Sequence, residues 1–289
     1  HAPARELCPD VALVEWPSES QGPKAIEQAS ALLDRTLPAR IAADCAARVL
    51  PMWVDARPLN ASPREAIEAM GYHADFCGQK GHYGVALLSK TRALTTNSGF
   101  PSDAEDAQRR LIHGQYKLNG TTLHVINGYF PQGESRQHPT KYPAKEQFYG
   151  DLLNYLNAQF TADDHVIVMG DMNVAPADID VGIAPENAKR WIATGKCAFL
   201  PEEREWLQNL SDWGLHDSFR TLNPTDNRYS WFDYRSRGFE QEPKRGLRID
   251  LILTSAAALA KVSDAGIATS LRSFVKPSDH CPVWAELSL

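Results

Sequence analysis

The sequence predicts an α/β layered domain, and three observations carry that prediction. Strand and helix signals alternate irregularly along most of the 289 residues. His165-Val166-Ile167-Val168-Met169 is an uninterrupted apolar run, as expected of a central strand covered on both faces. Neither a GxGxxG nor a GxxxxGK[ST] string occurs, so the layered class is not of the Rossmann or P-loop kind. A hydrophobic content of 43% is enough to bury a large core, in one large domain or two small ones.

Taken in order, the elements start poorly defined. Residues 1–61 contain no Tyr or Phe, are crowded with Ala, and carry Pro3, Pro9, Pro17, Pro23, Pro38, Pro51 and Pro58. Prolines at that spacing break long elements. A short strand over 11–14 and helices over 24–33 and 41–50 are the candidates there. From Ser62 the signals sharpen, and the main domain is expected to span 62–289. Ser62-Pro63-Arg64-Glu65 reads as N-cap, first-position proline and acidic first turn, opening a short helix to about Met70. Strands are expected over 83–89 and over 121–127, the latter rich in β-branched residues. Phe148, Leu152, Leu153, Leu156 and Phe160 recur at helical spacing, which predicts an amphipathic helix over 144–160. A second helix opens near Pro201-Glu202-Glu203 and stops before Gly214, and further strands are expected over 228–232, 248–253 and 283–287. No repeat and no low-complexity tract interrupts the pattern.

Composition narrows the setting. No stretch approaches the roughly 20 apolar residues of a membrane span, and no charged-then-apolar leader is present. The five cysteines Cys8, Cys45, Cys77, Cys197 and Cys281 are odd in number, scattered and free of any CxxC pair. That argues against a disulfide framework and a zinc site, and favours a cytoplasmic location. A net charge of −6 supplies no general attraction to nucleic acid, although only a binding face need be basic.

The chemistry concentrates in two clusters. Gly170-Asp171-Met172-Asn173 follows the apolar run, and Pro277-Ser278-Asp279-His280 precedes Cys281-Pro282-Val283-Trp284. Carboxylate, carboxamide and imidazole at strand ends can converge on one hard cation, such as Mg2+, and one phosphate. Asp250 lies inside Leu247-Arg248-Ile249-Asp250-Leu251-Ile252-Leu253 and needs a partner if buried. His280 is one candidate, because a carboxylate fixes an imidazole tautomer, and Arg248 or Arg245 is the other. Alone, an Asp-x-Asn is more often a self-capping turn, and an Asp-His a surface pair. Their joint occurrence in this order points to a metal-dependent phosphoesterase.

Longer strings make the match specific. Gly78-Gln79-Lys80-Gly81-His82-Tyr83-Gly84-Val85-Ala86, Ile126-Asn127-Gly128-Tyr129-Phe130-Pro131-Gln132-Gly133-Glu134 and Gly170-Asp171-Met172-Asn173 occur in order. They are followed by Phe199-Leu200-Pro201-Glu202-Glu203-Arg204-Glu205-Trp206, Ser230-Trp231-Phe232-Asp233-Tyr234-Arg235, Leu247-Arg248-Ile249-Asp250 and Pro277-Ser278-Asp279-His280. On these residues the chain, from about Pro63 to its end, resembles the bacterial exonuclease III family of abasic-site endonucleases, within the endonuclease/exonuclease/phosphatase superfamily. The resemblance implies a four-layer α/β sandwich, two packed β-sheets flanked by helices, incomplete at its N-terminal edge if residues 1–61 supply no strands. It implies a Mg2+-dependent DNA repair nuclease, with Mn2+ as the alternative ion, acting on double-stranded DNA at 3′ ends, 3′-blocking groups and abasic sites, as a monomer and away from membranes.

The resemblance also implies roles. Asp171 would be general base or leaving-group acid, Asn173 would orient the nucleophile, and His280, oriented by Asp250, would donate to the scissile phosphate. Tyr129 would touch the phosphate near the metal, and Asp171, Asn173, Asp279 and His280 would form the metal-binding set. Trp231, Leu247 and Ile249 match an apolar pocket for a flipped-out, base-free sugar. Arg110, Gln132 and Lys141 are candidates for holding backbone phosphates.

The start departs from the family pattern, which has an Asn ending the first strand and a Gln-Glu-Thr-Lys string ending the second. That Glu is a principal metal ligand, and neither string is present. Glu15 is the nearest substitute, but it precedes Trp16-Pro17 and stands one residue early. Residues 1–61 therefore read as out of family, with the composition a shifted frame or mis-joined start would produce. Two other functions stand beside the nuclease: an impaired DNA-binding remnant lacking the N-terminal ligands, or a phosphatase or phosphodiesterase of the same superfamily, which would share Asp171, Asn173 and His280. The strings around Tyr129 and Trp231 argue against the latter.

Overall fold

A computed structural model of the protein describes residues 40–43, 64, 67–68, 71–79, 83–273 and 277–289. Its largest sheet has six strands in the order β4(Thr95–Ser98), β5(Leu111–Leu118), β6(Thr121–Gly128), β7(His165–Asp171), β9(Asp250–Ser255), β8(Leu215–Asp217). Facing it are two smaller pieces, β2(His73–Gly78) with β3(Gly84–Ser89), and β11(Val283–Leu287) between β1(Arg40–Ala43) and β10(Val262–Ile267). All pairings are antiparallel except β6 with β7. A parallel neighbour requires a crossover, which α1(Lys141–Gln159) supplies.

The apolar run behaves as its sequence requires. Side chains alternate across a strand, so Ile167 and Met169 enter the core between the sheets, while Val166 and Val168 enter the core beneath the helices. The inter-sheet core includes Val85, Leu87, Ile112, Tyr116, Val125, Ile252, Ile267 and Val283. On the opposite face α1 contributes Phe148, Tyr149, Leu152, Tyr155 and Leu156, and α3(Pro201–Trp213) contributes Leu207 and Leu210. A third apolar layer lies outside β2 and β3, where Ile67, in a helical stretch, packs with Tyr72, Ala74, Ala86 and Leu88. Two packed sheets flanked by helices is the architecture the family resemblance implies. The remaining helices are α2(Pro185–Thr194), α4(Ser218–Leu222) and α5(Ala256–Leu259).

Some expectations are corrected. Residues 41–43, expected to open a helix, belong to β1, whose backbone pairs with β11. The expected strand over 228–232 does not form. Ser230 and Trp231 bond Leu247 while Phe232 and Ser230 turn to Asp279 and Cys281, so only isolated bridges form and no ladder develops. The strand after it starts at Asp250 because the Arg248 amide is diverted to the Asp180 carbonyl. The elements expected over 11–14 and 24–33, and the cap at Ser62, lie outside the described residues. Strands β2, β4, β5, β8 and β10 and helix α2 were not anticipated. Strand β4 is four exposed small polar residues, with no period to detect.

Candidate active site

The site grows from a register. Asp171 ends β7 and Asp250 begins β9, and the antiparallel ladder places them directly opposite each other. Both carboxylates are buried. Like charges facing each other across a ladder are destabilising, so the pair calls for a cation or a shared proton. The chain turns sharply around them. Gly170 has φ +132°, and any Cβ there would collide with the Gly128 carbonyl, so this tight approach of β7 to the end of β6 requires glycine. Asn173 takes the left-handed conformation, φ +53°, which Asn tolerates better than most residues.

Asn173 holds Asp171 in place. Its backbone N–H donates to Asp171 Oδ1 and its Nδ2 donates to Oδ2, each at 3.0 Å, while Nδ2 also donates to the Phe130 carbonyl at 2.9 Å. The amide protons are thereby spent, and Oδ1 is what Asn173 can offer a ligand. His280 completes the cluster, with Nδ1 lying 3.0 Å from both oxygens of Asp250. The alternative partner, Arg248, is fully engaged elsewhere, donating to Asp180 at 2.6 and 3.2 Å and to Asp217 at 2.6 Å. That buried network raises the already high pKa of the Arg248 guanidinium further: the two carboxylates outweigh the opposing effect of burial. Ser230 Oγ fixes the adjoining backbone, accepting from the amides of Ile249 and Asp250 at 3.0 Å each.

Asp171, Asp250 and His280 each offer a ligand atom, and these atoms lie within 4.8 Å of one another. Two buried carboxylates, an imidazole and a nearby carboxamide oxygen suit a hard divalent cation that retains water. This group differs from the expected set by including Asp250. Asp279 is turned aside, accepting from Trp231 Nε1 at 3.1 Å. Glu15, the substitute for the N-terminal ligand, lies outside the described residues.

Above the cluster opens a cleft of about 550 Å³ whose lining includes Asp171, Asn173, Trp231, Leu247, Ile249 and His280. Gln132, Asp279 and the cations Arg190, Lys196, Arg235 and Arg245 also line it. Burial lowers the Lys196 pKa, and its ammonium sits 3.7 Å over the Trp191 ring. The neighbouring Cys197 thiol is pushed up to about 12 by burial. Trp231 is half-buried, with Leu247 and Ile249 packed in the cluster behind it.

Two of the expected phosphate-holding residues are otherwise occupied. The Arg110 guanidinium is buried, lies 3.9 Å over the Tyr83 ring and 4.7 Å over the Tyr129 ring, and donates to the Tyr129 carbonyl at 3.1 Å. A cation so enclosed braces Tyr129 instead of presenting itself to solvent. Lys141 is exposed, pairs with Glu134 at 2.6 Å and does not line the cleft. Tyr129 itself is half-buried against the inter-sheet core. Lys145, Tyr149, Glu203 and Ser230 touch the site's loops and were missed. Their partners are distant in sequence, so no local pattern flags them.

The model of the endonuclease/exonuclease/phosphatase family matches residues 29–280, reaching back into the segment set apart by composition. The chain is 56% identical over 227 residues to the exodeoxyribonuclease III of Haemophilus influenzae, covering 78% of this chain and 84% of that one. Among solved structures, it is similar to a 3′ phosphatase from Neisseria bound to a product DNA hairpin, with a TM-score of 0.79 and 31% identity over 97% of this chain and all of that one. An AP endonuclease from Archaeoglobus fulgidus superimposes with a TM-score of 0.79 at 28% identity, over 96% of this chain and 99% of that one.

Proposed function

This chain belongs to the endonuclease/exonuclease/phosphatase family; from that premise we propose that it is a DNA repair nuclease with 3′-to-5′ exonuclease and abasic-site endonuclease activity, and that the cluster at the ends of β7 and β9 hydrolyses the phosphodiester with Mg2+. The observation that carries the reading is the convergence of Asp171, Asp250 and His280 beneath an apolar-walled, cation-rimmed cleft that Asp171 and His280 line.

The residues divide the work. Asp171, its carboxylate plane held by two bonds from Asn173, takes the proton of the attacking water as the water oxygen adds to phosphorus. The bond from phosphorus to the leaving oxygen breaks on the far side, and that oxygen takes a proton from solvent and departs as a hydroxyl. His280 is oriented through Nδ1 by Asp250, which leaves Nε2 to donate, when protonated, to a phosphate oxygen as charge builds there. Mg2+, when bound by Asp171 and Asp250 with the Asn173 Oδ1, supplies charge neutralisation to the phosphate. Asp279 positions Trp231, which with Leu247 and Ile249 forms the wall that accepts a sugar lacking its base and excludes a full nucleotide. Gln132, which lines the cleft, and Tyr129, braced by Arg110, are the residues we assign to contact with the DNA backbone.

The enzyme is read as a monomer acting on double-stranded DNA, with residues 62–289 as the nuclease domain. The test is hydrolysis of a duplex carrying one abasic-site analogue, with Mg2+ and with chelator. Single incision beside the lesion and no reaction in chelator is the expected result. No incision at any Mg2+ concentration in a folded preparation would favour a binding-only remnant.

A further inference from the structure

We propose that Lys145 and Tyr149, one turn apart on α1, are positioning residues that clamp the Asp171–Asn173 loop, with Glu203 neutralising the lysine; the proposal rests on the nuclease reading above. Neither Lys145 nor Glu203 is exposed to solvent at all. The Lys145 ammonium donates to Glu203 Oε1 at 2.5 Å, to the Asn173 carbonyl at 2.8 Å and to the Gln132 carbonyl at 3.4 Å. Its three protons therefore have three acceptors. Tyr149 Oη donates to the Met172 carbonyl at 2.8 Å, and burial raises the pKa of that hydroxyl well above its ordinary value, keeping it a donor.

Two consecutive carbonyls of the catalytic loop are thus held from one helix face. The same ammonium holds the loop bearing Gln132, so the two walls that would flank the phosphate hang from a single side chain. Gly133 permits this approach, because a Cβ there would press on Lys145 Cδ and Cys197 Sγ at 3.0 and 2.9 Å. Glu203 is itself fixed, accepting the Leu200 amide at 2.8 Å.

Stability alone does not account for the arrangement. A buried ion pair replaced by neutral side chains of similar volume is commonly no less stable, because the desolvation cost of two charges disappears. What apolar side chains cannot supply is a donor to both carbonyls. Asn173 stands in the left-handed conformation while bonding both oxygens of Asp171, so a shift of its carbonyl carries the base with it. Misplacement of a reacting group by about 1 Å costs up to roughly 100-fold in rate.

The experiment compares the wild-type enzyme with Lys145→Met, with the double variant Lys145→Met/Glu203→Gln, and with Tyr149→Phe, on the abasic-analogue duplex in Mg2+. Lys145→Met strands a buried carboxylate, and its Tm should fall. The double variant removes both charges and retains an acceptor for Leu200. Its Tm should return toward wild type while kcat stays about 10- to 100-fold low and KM moves less than about threefold. Tyr149→Phe, which lacks one hydroxyl only, should lower kcat about 3- to 10-fold with little change in KM. Recovery of kcat together with Tm in the double variant overturns the proposal. If that variant does not fold, a wild-type kcat in Tyr149→Phe overturns it instead. A wild-type enzyme that cleaves nothing removes the nuclease reading, a different failure from variants that match an active wild type.

Discussion

His280 and His113 are both held at a ring nitrogen by a neighbour about 3 Å away, yet their surroundings differ in charge. His280 lies at the cleft with Nδ1 against the two oxygens of a buried carboxylate, Asp250. His113 rises from β5 into the helix-covered side, with Nδ1 2.9 Å from Tyr155 Oη and Nε2 3.1 Å from His124 Nδ1. The Phe160 ring meets it edge-on at 5.5 Å. Burial, and then the second imidazole, push the His113 pKa down to about 4. The same side chain is thus set up for proton chemistry in one place and kept neutral as packing in the other. The partner and the access to water decide between them, because a neutral hydroxyl cannot favour a charged ring as a carboxylate does.

Five substitutions press on that contrast. The largest effect is expected at the cluster itself: Asp171→Asn and His280→Ala should each lower kcat/KM by about 10²- to 10⁴-fold. Duplex binding in chelator should change far less, since phosphate contacts from cleft cations remain. A folded variant with a near-normal rate would remove that residue from the mechanism. Next comes Asp250→Asn, which keeps the shape of the imidazole's partner and discards its charge. Half-maximal rate should then need about 10- to 100-fold more Mg2+; an unchanged metal titration would restrict Asp250 to orienting His280.

A smaller, selective loss is expected from Trp231→Ala. Incision at an abasic analogue should fall about tenfold further than removal of ordinary 3′ nucleotides, as one wall of the sugar pocket is lost. Equal losses on both substrates would make Trp231 a packing residue only. The smallest effect on rate belongs to His113→Phe, whose activity should match wild type. Its signature is in stability against pH. The folded-state pKa of His113 is depressed, so its contribution is present above about pH 6.5 and is lost as pH falls toward 4. Between those values wild type should lose on the order of 3 kcal/mol that the Phe variant retains. Parallel denaturation profiles from pH 7 to 4.5 would show that His113 protonates freely when folded.

Much of this could be read from residue order, and the failures are instructive. The helix over 144–160 was legible because its apolar residues recur at 3.6, and α1 spans Lys141–Gln159. Residues 228–232 look like a strand by composition, but their backbone bonds are divided between Leu247 and the 279–281 segment, leaving isolated bridges. Lys145 sits in the readable helix and still escaped notice. Lysine is the residue expected on a solvent face, and its acceptors, Asn173 and Glu203, lie 28 and 58 residues downstream. Arg110 failed in the opposite sense, since a cation expected at a phosphate is enclosed by two tyrosine rings.

The sequence by itself determined the layered class, the central strand and the identity of the groups that meet at its end. Asp171, Asn173 and His280 declare themselves by residue type beside apolar runs, because chemistry and side-chain period are local properties. Which groups would face one another was decided only in three dimensions. The ladder between β7 and β9 set Asp171 against Asp250, and the bridge from Trp231 to His280 brought the imidazole beside them. Register depends on how two distant strands bury their apolar faces together, and slipping it by one residue would turn every side chain to the other face. The charge clamp of Lys145 and Glu203 arises the same way, from helices brought together on one sheet and closed off from water.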